Sequence, residues 1–559
     1  MPRIEIFQSL RLSGTFSQVD AAFAPFIRAL HSQAKKIGIV VDVSSEQTTN
    51  AELVVILQEQ DGRQFMLTVT SPVINGQVCG EVELQALTGL ASVHSRSLDR
   101  VVPLGVDYIS VISASLVLQQ LLAGLIAQHR GNGMQSATFD LVQAGVLAVG
   151  QYLAGATTET GAEVFSCGEA DVSLRPPFTS LDGVLFELES LSPQLWQRFW
   201  VQLGADIQQI GRGWHTFMQR YAKGVASLSV EMVALLASHV YTDLADLAHQ
   251  TGIAITPVRR IQDRKMDRDL RSLLEYGPWS IKAIEEGGRK ASRMLSDFST
   301  TSELPLAGIR LVESCRRIQG PMAGHLLAML GATVTRIEPL GGDPLRDMPP
   351  LADNYSARFQ ALNARKQVVE VNIKSAEGKQ TVEELVHKSD LFIHNWAPGK
   401  ASELALDASD LIHNHPDLVY VYAGGWGELD SEMTIPGTDF MVQAYSGMAD
   451  VIAQRSGVKG GTLFTATDIF GGILAAQAAI MALYCRVRGA SGLSVRSSLL
   501  GAATMLIEPI LTGQSSITEM DTLPEWCCTD LASLSIHPHI EPYLMAESYT
   551  QLCELWRPL

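Results

Sequence analysis

Shifted by 358 positions, the chain lies on itself. Gln85-Ala86 and Gly89 fall on Gln443-Ala444 and Gly447, and the register then holds without a gap. Leu116 meets Leu474, Gln119 meets Gln477, Leu125 meets Leu483, and Arg130-Gly131 meets Arg488-Gly489. A register this constant, ending on matching Arg-Gly turns, marks a duplicated unit and ties each half to the same fold. The stretch FELESLSPQLWQRFWVQL (186–203) also resembles YLMAESYTQLCELWRPL (543–559). Copy A thus occupies the chain up to about residue 300 and copy B begins at 304, with unequal contents. Copy A has a shrunken front half and a complete rear segment, whereas copy B has a full front half and ends as its rear segment begins.

The halves are α/β in pattern. In copy A, apolar residues at helical spacing (Phe23, Phe26, Ile27, Leu30) precede two β-branched runs, Ile37–Val43 and Leu53–Leu57, which read as buried parallel strands. Helices are expected at about Asp107–His129 and Ala137–Leu153, a strand at Val184–Leu188 and a helix at Pro193–Leu203. The polar stretch Glu275–Leu304 reads as a linker. Copy B then alternates cleanly: strands at Ile309–Glu313, Thr333–Glu338, Val368–Val371, Asp390–His394 and Leu418–Tyr422, with helices such as Gln319–Leu330 and Gly378–Lys388 between them. Such alternation implies a doubly wound parallel sheet.

Composition narrows the functions open to this fold. Of 559 residues, 46% are hydrophobic and 18% charged, which fits a globular chain throughout. A net charge of −17 argues against nucleic acid, whose phosphates need a basic face. The 7 cysteines, including the adjacent Cys527 and Cys528, show neither a disulfide framework nor a metal-ligand spacing, and no metal is expected. The N-terminus lacks an apolar secretion core. The apolar stretches Leu141–Ala156 and Ile469–Tyr484 read as core helices rather than membrane spans. A cytoplasmic protein acting on small molecules, without membrane or nucleic-acid partners, is the expectation.

One stretch carries a chemical signal, Gly461–Gly501. Asp468 stands in the first turn of an apolar helix, followed by Gly471 and Gly472. A carboxylate there sits in the positive field of the helix N-terminus, which favours its ionised form. The glycines let a second backbone or a substrate approach. From local pattern alone the favoured reading is an N-capping Asp on a buried helix. The repeat supplies a control: in copy A the three positions are Ser110, Ser113 and Ala114. Packing of this helix therefore requires neither the carboxylate nor the glycines.

Copy B also resembles the family III CoA-transferases of the CaiB–BaiF type, which include formyl-CoA transferase, carnitine CoA-transferase and α-methylacyl-CoA racemase. The resemblance runs through PLAGIRLVESCRRIQGPMAGHLLAMLGATVTRIEPLGGDPLR (305–346), ALNARKQVVEVNIKSAEGK (361–379), DLFIHNWAPG (390–399), HPDLVYVYAGGWG (415–427) and GTDFMVQAYSG (437–447). It is weaker in copy A, where GIAITPV (252–258) resembles a turn of the family's small domain. The resemblance implies a Rossmann-like large domain plus a small α+β domain, here as two unequal intertwined copies in one chain. The division it implies is a degenerate large domain at 1–180, a small domain at 181–280, a linker at 281–303, a catalytic large domain at 304–515 and a C-terminal segment at 516–559. The chain is then a fused pseudo-dimer, itself a monomer or a homodimer, in which the small domain of copy A serves copy B.

The resemblance also implies roles. Asp468 matches the family's nucleophile, which attacks an acyl-CoA thioester and passes CoA to a carboxylic acid through an anhydride and an aspartyl–CoA thioester. Amides near Gly471–Gly472 or Gly424–Gly427 are candidate oxyanion donors, and Trp426 matches an aromatic residue near the reacting centre. For coenzyme A, bound as a substrate thioester, the matching positions are Arg316, Gln319, Gly320, Lys374, Asn395 and Trp396. Glu403 replaces an Arg usual in the family, so a phosphate contact moves to Lys400 or is lost. The racemase branch has a His where this chain has Thr438, which disfavours racemisation. His413/His415 and His537/His539 read as structural. Two other readings stand beside the transferase: an acyl-CoA isomerase or lyase of the same family, and a catalytically silent scaffold, motivated by the decay of copy A.

Overall fold

This computed structural model describes residues 5–16, 20–42, 52–95, 98, 100–158, 172–190, 192–218, 220, 227–284, 295, 304–352, 354–462 and 464–517. Cys527, Cys528, His537, His539, most of the expected linker and nearly all of the C-terminal segment lie outside them.

Copy A begins with a mixed sheet of Leu10–Gly14 (β1), Val40–Val41 (β2), Glu52–Glu59 (β3), Gln64–Thr70 (β4) and Ser136–Asp140 (β5), in the order β2-β1-β3-β4-β5. Here the structure corrects the expected buried parallel strands. β3 pairs antiparallel with both β1 and β4. It buries Leu53, Val55 and Leu57 while Val54 and Ile56 stay half-exposed, as a strand covered mainly on one face does. The run Ile37–Val43 yields only β2, because helix α1 (Ala24–Ile37) extends into it and ends on Gly38 at φ 104°. The helices α2 (Glu81–Leu87), α3 (Tyr108–His129) and α4 (Leu141–Ala156) follow.

A three-stranded sheet of Phe178–Thr179 (β6), Leu185–Glu189 (β7) and Ala254–Pro257 (β8), ordered β8-β7-β6, carries the small-domain helices and a core built on Trp196, Phe199 and Trp200. Ser280–Ala283 (β9), at the border of the expected linker, is an edge strand antiparallel to Leu493–Ser498 of copy B.

Copy B supplies Arg310–Ser314 (β10), Thr333–Glu338 (β11), Gln367–Glu370 (β12), Leu391–His394 (β13), Val419–Gly424 (β14) and Leu493–Ser498 (β15). With β9 they form a seven-stranded sheet ordered β9-β15-β14-β13-β10-β11-β12, parallel from β15 to β12. The chain builds outward from β10 on one side and then reverses to β13 on the other. In such sheets ligands bind outside the C-terminal ends of the strands at the point of reversal. Buried ion pairs fix that point: Arg336 on β11 holds Glu313 on β10 and Asp343 (2.6 Å), and Lys366 donates to Glu313 at 2.7 Å.

The helices of copy B that matter below are α5 (Gln319–Met329), α6 (Asp439–Ser446), α7 (Ala466–Val487) and α8 (Leu499–Leu511). α3 and α7 are related end to end by the 358-residue shift and pack on each other at the centre of the molecule. Gln119 donates to the Ile473 carbonyl at 2.9 Å, and the Tyr108 hydroxyl to the Ala466 carbonyl at 2.9 Å. Both helices are long and apolar enough to cross a membrane, but 100% and 94% of their apolar windows are buried by protein. A helix enclosed on all sides is apolar all round for that reason.

Candidate active site

The N-terminus of α7 is capped from another helix. Asp439, the first residue of α6, accepts from the Thr467 hydroxyl (2.7 Å), the Asp468 N–H (2.8 Å) and the Gln443 side-chain amide. Gln443 is pinned in turn: its amide donates to the Thr462 hydroxyl (2.6 Å) and its carbonyl accepts the Thr462 N–H (2.9 Å). Asp439 thus serves the first turn of α7, and Asp468, three residues past the N-cap Thr465, is not its capping residue. Asp468 itself is half-buried, and among the described residues its carboxylate accepts no hydrogen bond.

Copy A repeats this circuit. Glu81 of α2 accepts from the Ile109 N–H (2.9 Å), the Ser110 N–H (2.8 Å) and the Gln85 amide (2.8 Å), and Gln85 accepts from the Leu104 N–H (2.7 Å). Glu81, Gln85 and Ser110 are Asp439, Gln443 and Asp468 under the same shift. The capping carboxylate is retained in both copies and the Asp468 carboxylate in one.

The helix end, expected to favour the ionised form of Asp468, is opposed by the surroundings. Burial and the neighbouring acids Asp439 and Glu189 push its carboxyl well above the ordinary range, and Arg317 opposes them. The helix field is real, but its nearest amides are already spent on Asp439. Glu189 comes from β7 of the small domain and is buried; one oxygen accepts the Thr438 hydroxyl, and among the described residues the other has no hydrogen-bond partner. Burial raises its pKa, with Arg317 the leading counterweight. The small domain reaches this place by packing on α6 and on the helix after it, Met448–Ser456: the Arg259 N–H donates to the Ala444 carbonyl (2.9 Å), and the Ile261 N–H to Asp450 (3.2 Å).

Gly471 and Gly472 are the sixth and seventh residues of α7, past the turn whose amides are unpaired, so those amides are committed to the helix. The glycines provide room instead, so the repeat misleads here: in copy B, unlike copy A, the packing of this helix does require them. A Cβ on Gly472 would lie 2.5 Å from the Gln319 carbonyl oxygen, and one on Gly471 2.5 Å from Leu499 Cδ2. Gln319 opens α5 and donates to the Gly424 carbonyl at 2.9 Å, tying the reversal point to the end of β14. Gly320 is likewise crowded, its hypothetical Cβ 2.3 Å from Cys315 Sγ. Asn395 clamps the Arg316 main chain, accepting its N–H (3.0 Å) and donating to its carbonyl (2.9 Å). These residues thus meet at the reversal of the sheet, across the C-terminal ends of β10 and β13.

The remaining candidates are more dispersed. Lys374, in the loop after β12, and the Arg316 side chain are exposed. Trp396 is half-buried against His394, with ring centroids 4.6 Å apart. Lys400 pairs with Glu403 at 2.6 Å, so the cation suggested as a replacement phosphate contact shares its charge with the acid that made a replacement necessary. Trp426 is buried, donates to the Ile435 carbonyl (2.8 Å) and stands edge-on to Tyr445. A cavity of about 500 Å³ opens behind the loop carrying Trp396 and Lys400, walled by His394, Tyr420, Tyr422 and Arg496; Asp468 does not line it. Three residues of the Asp468 site escaped sequence reasoning: Asp439, Glu189 and Arg317. The repeat held a signal for the first, since Glu81 falls on Asp439.

The CoA-transferase family III model matches residues 75–276 and again 306–527. Succinyl-CoA:glutarate CoA-transferase from Mus musculus is 32% identical over 220 residues, covering 39% of this chain and 50% of that protein. Succinate–glutarate CoA-transferase from Agrobacterium fabrum is 29% identical over 247 residues, covering 43% and 60%. The chain spans about half the length of the first of these relatives. A CAIB/BAIF family protein from Brucella suis aligns in structure at 28% identity and a TM-score of 0.33, over 38% of this chain and 59% of that one.

Proposed function

Because the chain belongs to CoA-transferase family III, we propose that it moves CoA from an acyl-CoA thioester to a carboxylic acid, with Asp468 as its covalent nucleophile. The observation that carries this reading is the duplicated cap. Asp439 and Glu81 perform the same structural task in the two copies, so the extra carboxylate of copy B is surplus to folding and is held in a destabilising place, which is common for functional groups.

In the proposed reaction, an Asp468 oxygen attacks the thioester carbonyl and CoA leaves as the thiolate, giving an acyl–aspartyl anhydride. The thiolate attacks the aspartyl carbonyl and the donor acid leaves. The acceptor carboxylate then attacks the aspartyl–CoA thioester, and the returning thiolate takes the acceptor's acyl group and frees Asp468. Each step replaces one hard exchange by easier ones. The raised pKa of Asp468 makes its deprotonation the condition for the first attack. Coenzyme A is proposed to lie across the reversal point, along the loops of Arg316–Gly320 and Asn395–Lys400, with Lys374 at its charged end and Trp426 beside the reacting centre. The small domain of copy A, through Glu189, closes the site of copy B, so the chain needs no second subunit for one complete site. A cytoplasmic setting goes with this reading.

A panel of acyl-CoA donors against short carboxylates, beginning with succinyl-CoA and glutarate, tests it. CoA transfer by the parent protein and none by D468N is the expected result; equal transfer by both sinks the nucleophile.

A further inference from the structure

The charge of the site poses a problem for the second substrate. Under the proposed function every acceptor arrives as a carboxylate, yet Asp468 already feels Asp439 and Glu189. An anion entering among three acids needs a cation there. Arg317 is placed for this. It follows the C-terminal end of β10 at the reversal of the sheet, between two pinned neighbours. Asn395 holds the main chain of Arg316 on both its N–H and its carbonyl, and Gln319 is fastened to Gly424. Between these pins Arg317 has φ 63°, a left-handed conformation that side chains larger than glycine rarely adopt. Strain of this kind persists where the surroundings over-determine it, and it gathers at functional sites. The charge of Arg317 acts on Asp468 and on Glu189 together. Glu189 is buried, and among the described residues one of its oxygens has no hydrogen-bond partner, so this place holds an unsatisfied polar group.

We propose that Arg317 anchors the carboxylate of the acceptor acid and aims one of its oxygens at the aspartyl–CoA carbonyl. The inference rests on Asp468 being the nucleophile. A guanidinium suits the task, since its planar fork matches a carboxylate in two parallel hydrogen bonds while an ammonium offers only a point charge. The anchored oxygen forms its bond to Cγ of Asp468 as the C–S bond breaks and the electron pair leaves on the CoA thiolate; the acceptor is already an anion, so no proton moves. By reversal of the same step, the donor acid leaves past the same arginine, and both acids use one subsite in turn. Arg317 is therefore a specificity-determining residue that selects short carboxylates over water and neutral alcohols.

The test is steady-state transfer by the parent, R317K and R317Q from succinyl-CoA to acetate, oxalate, succinate and glutarate, with pH profiles and peptide mapping of the Asp468 adduct. In R317K, which keeps the charge and loses the fork, the acceptor KM should rise roughly 10- to 100-fold, the size of a lost charge-assisted hydrogen bond, while the KM for succinyl-CoA moves far less. In R317Q the acceptor KM should rise at least as far. Its acidic limb should also move to higher pH, because Asp468 would keep Asp439 and Glu189 beside it and lose the cation that opposes them. A purely structural Arg317 would not separate the two KM values. Parental acceptor KM in R317K, or a parent that forms the adduct but saturates with none of the four acids, overturns the anchor alone. Absence of any Asp468 adduct overturns the nucleophile and the anchor together. If R317Q fails to fold, the KM split in R317K decides.

Discussion

Two helix N-termini with the same ancestry stand side by side in this molecule and differ in one carboxylate. At α3, Glu81 caps the helix and Ser110 occupies the first turn; at α7, Asp439 caps the helix and Asp468 occupies the equivalent place. Gln85 and Gln443 brace the two caps in the same way. What both copies keep is what the fold needs. What only copy B keeps is Asp468, beside a small-domain glutamate and an arginine that partly offset one another. Copy A fills the neighbouring space differently: Asp107 there accepts the Ser516 N–H at 3.1 Å, and Ile517 is buried.

The comparison breaks most readily at Asp468. D468N should lose transfer by roughly four orders of magnitude, as removal of a covalent nucleophile does. It should also melt at the same temperature or higher, because it relieves repulsion from Asp439 and Glu189. A capping Asp would instead cost about 1 kcal/mol on substitution. Calorimetry of the same variant therefore separates the two roles.

The caps should fail alike. E81A and D439A each leave buried amides without an acceptor, at a cost of roughly 2–3 kcal/mol in urea unfolding. Folded E81A should keep most of its transfer rate and folded D439A should not, since only Asp439 holds the turn that carries the nucleophile. G472A comes next, at about 1–3 kcal/mol, because its new Cβ meets the Gln319 carbonyl oxygen of a neighbouring helix. G471A should cost less, because Leu499 can move. A further effect is one of pH. Burial and Asp107 raise the Glu81 pKa, so the folded chain holds that proton more tightly than the unfolded one. Stability from this group falls as pH rises from the ordinary carboxylate range through the raised value. E81Q should flatten that part of the stability profile.

Much of this was legible in residues alone. The gapless repeat located both central helices, their ends and the one-sided loss of Asp468. The strands of copy B were plain because they alternate with helices along the chain, as the strands of a doubly wound parallel sheet do. Copy A misled for a related reason: Leu53–Leu57 is apolar throughout, but two of its five residues face a partly open side of an antiparallel sheet, which the run does not reveal. The partners of Asp468 were hidden by distance along the chain. Glu189 belongs to another copy's small domain, and Asp439 was noticed only through its neighbour Thr438. Arg316 was singled out for CoA, and its neighbour Arg317 was not, because its left-handed backbone leaves no mark in the sequence. The purpose of Gly471 and Gly472 was only half legible: they admit a neighbouring helix, and their own amides are committed to α7.

The most direct test of the central claim is peptide mass spectrometry after incubation with succinyl-CoA and hydroxylamine, which converts an activated aspartyl group into a hydroxamate. The account predicts a single hydroxamate per chain, on Asp468. A modified acid in copy A, or transfer activity with Asp468 left unmodified, would contradict it.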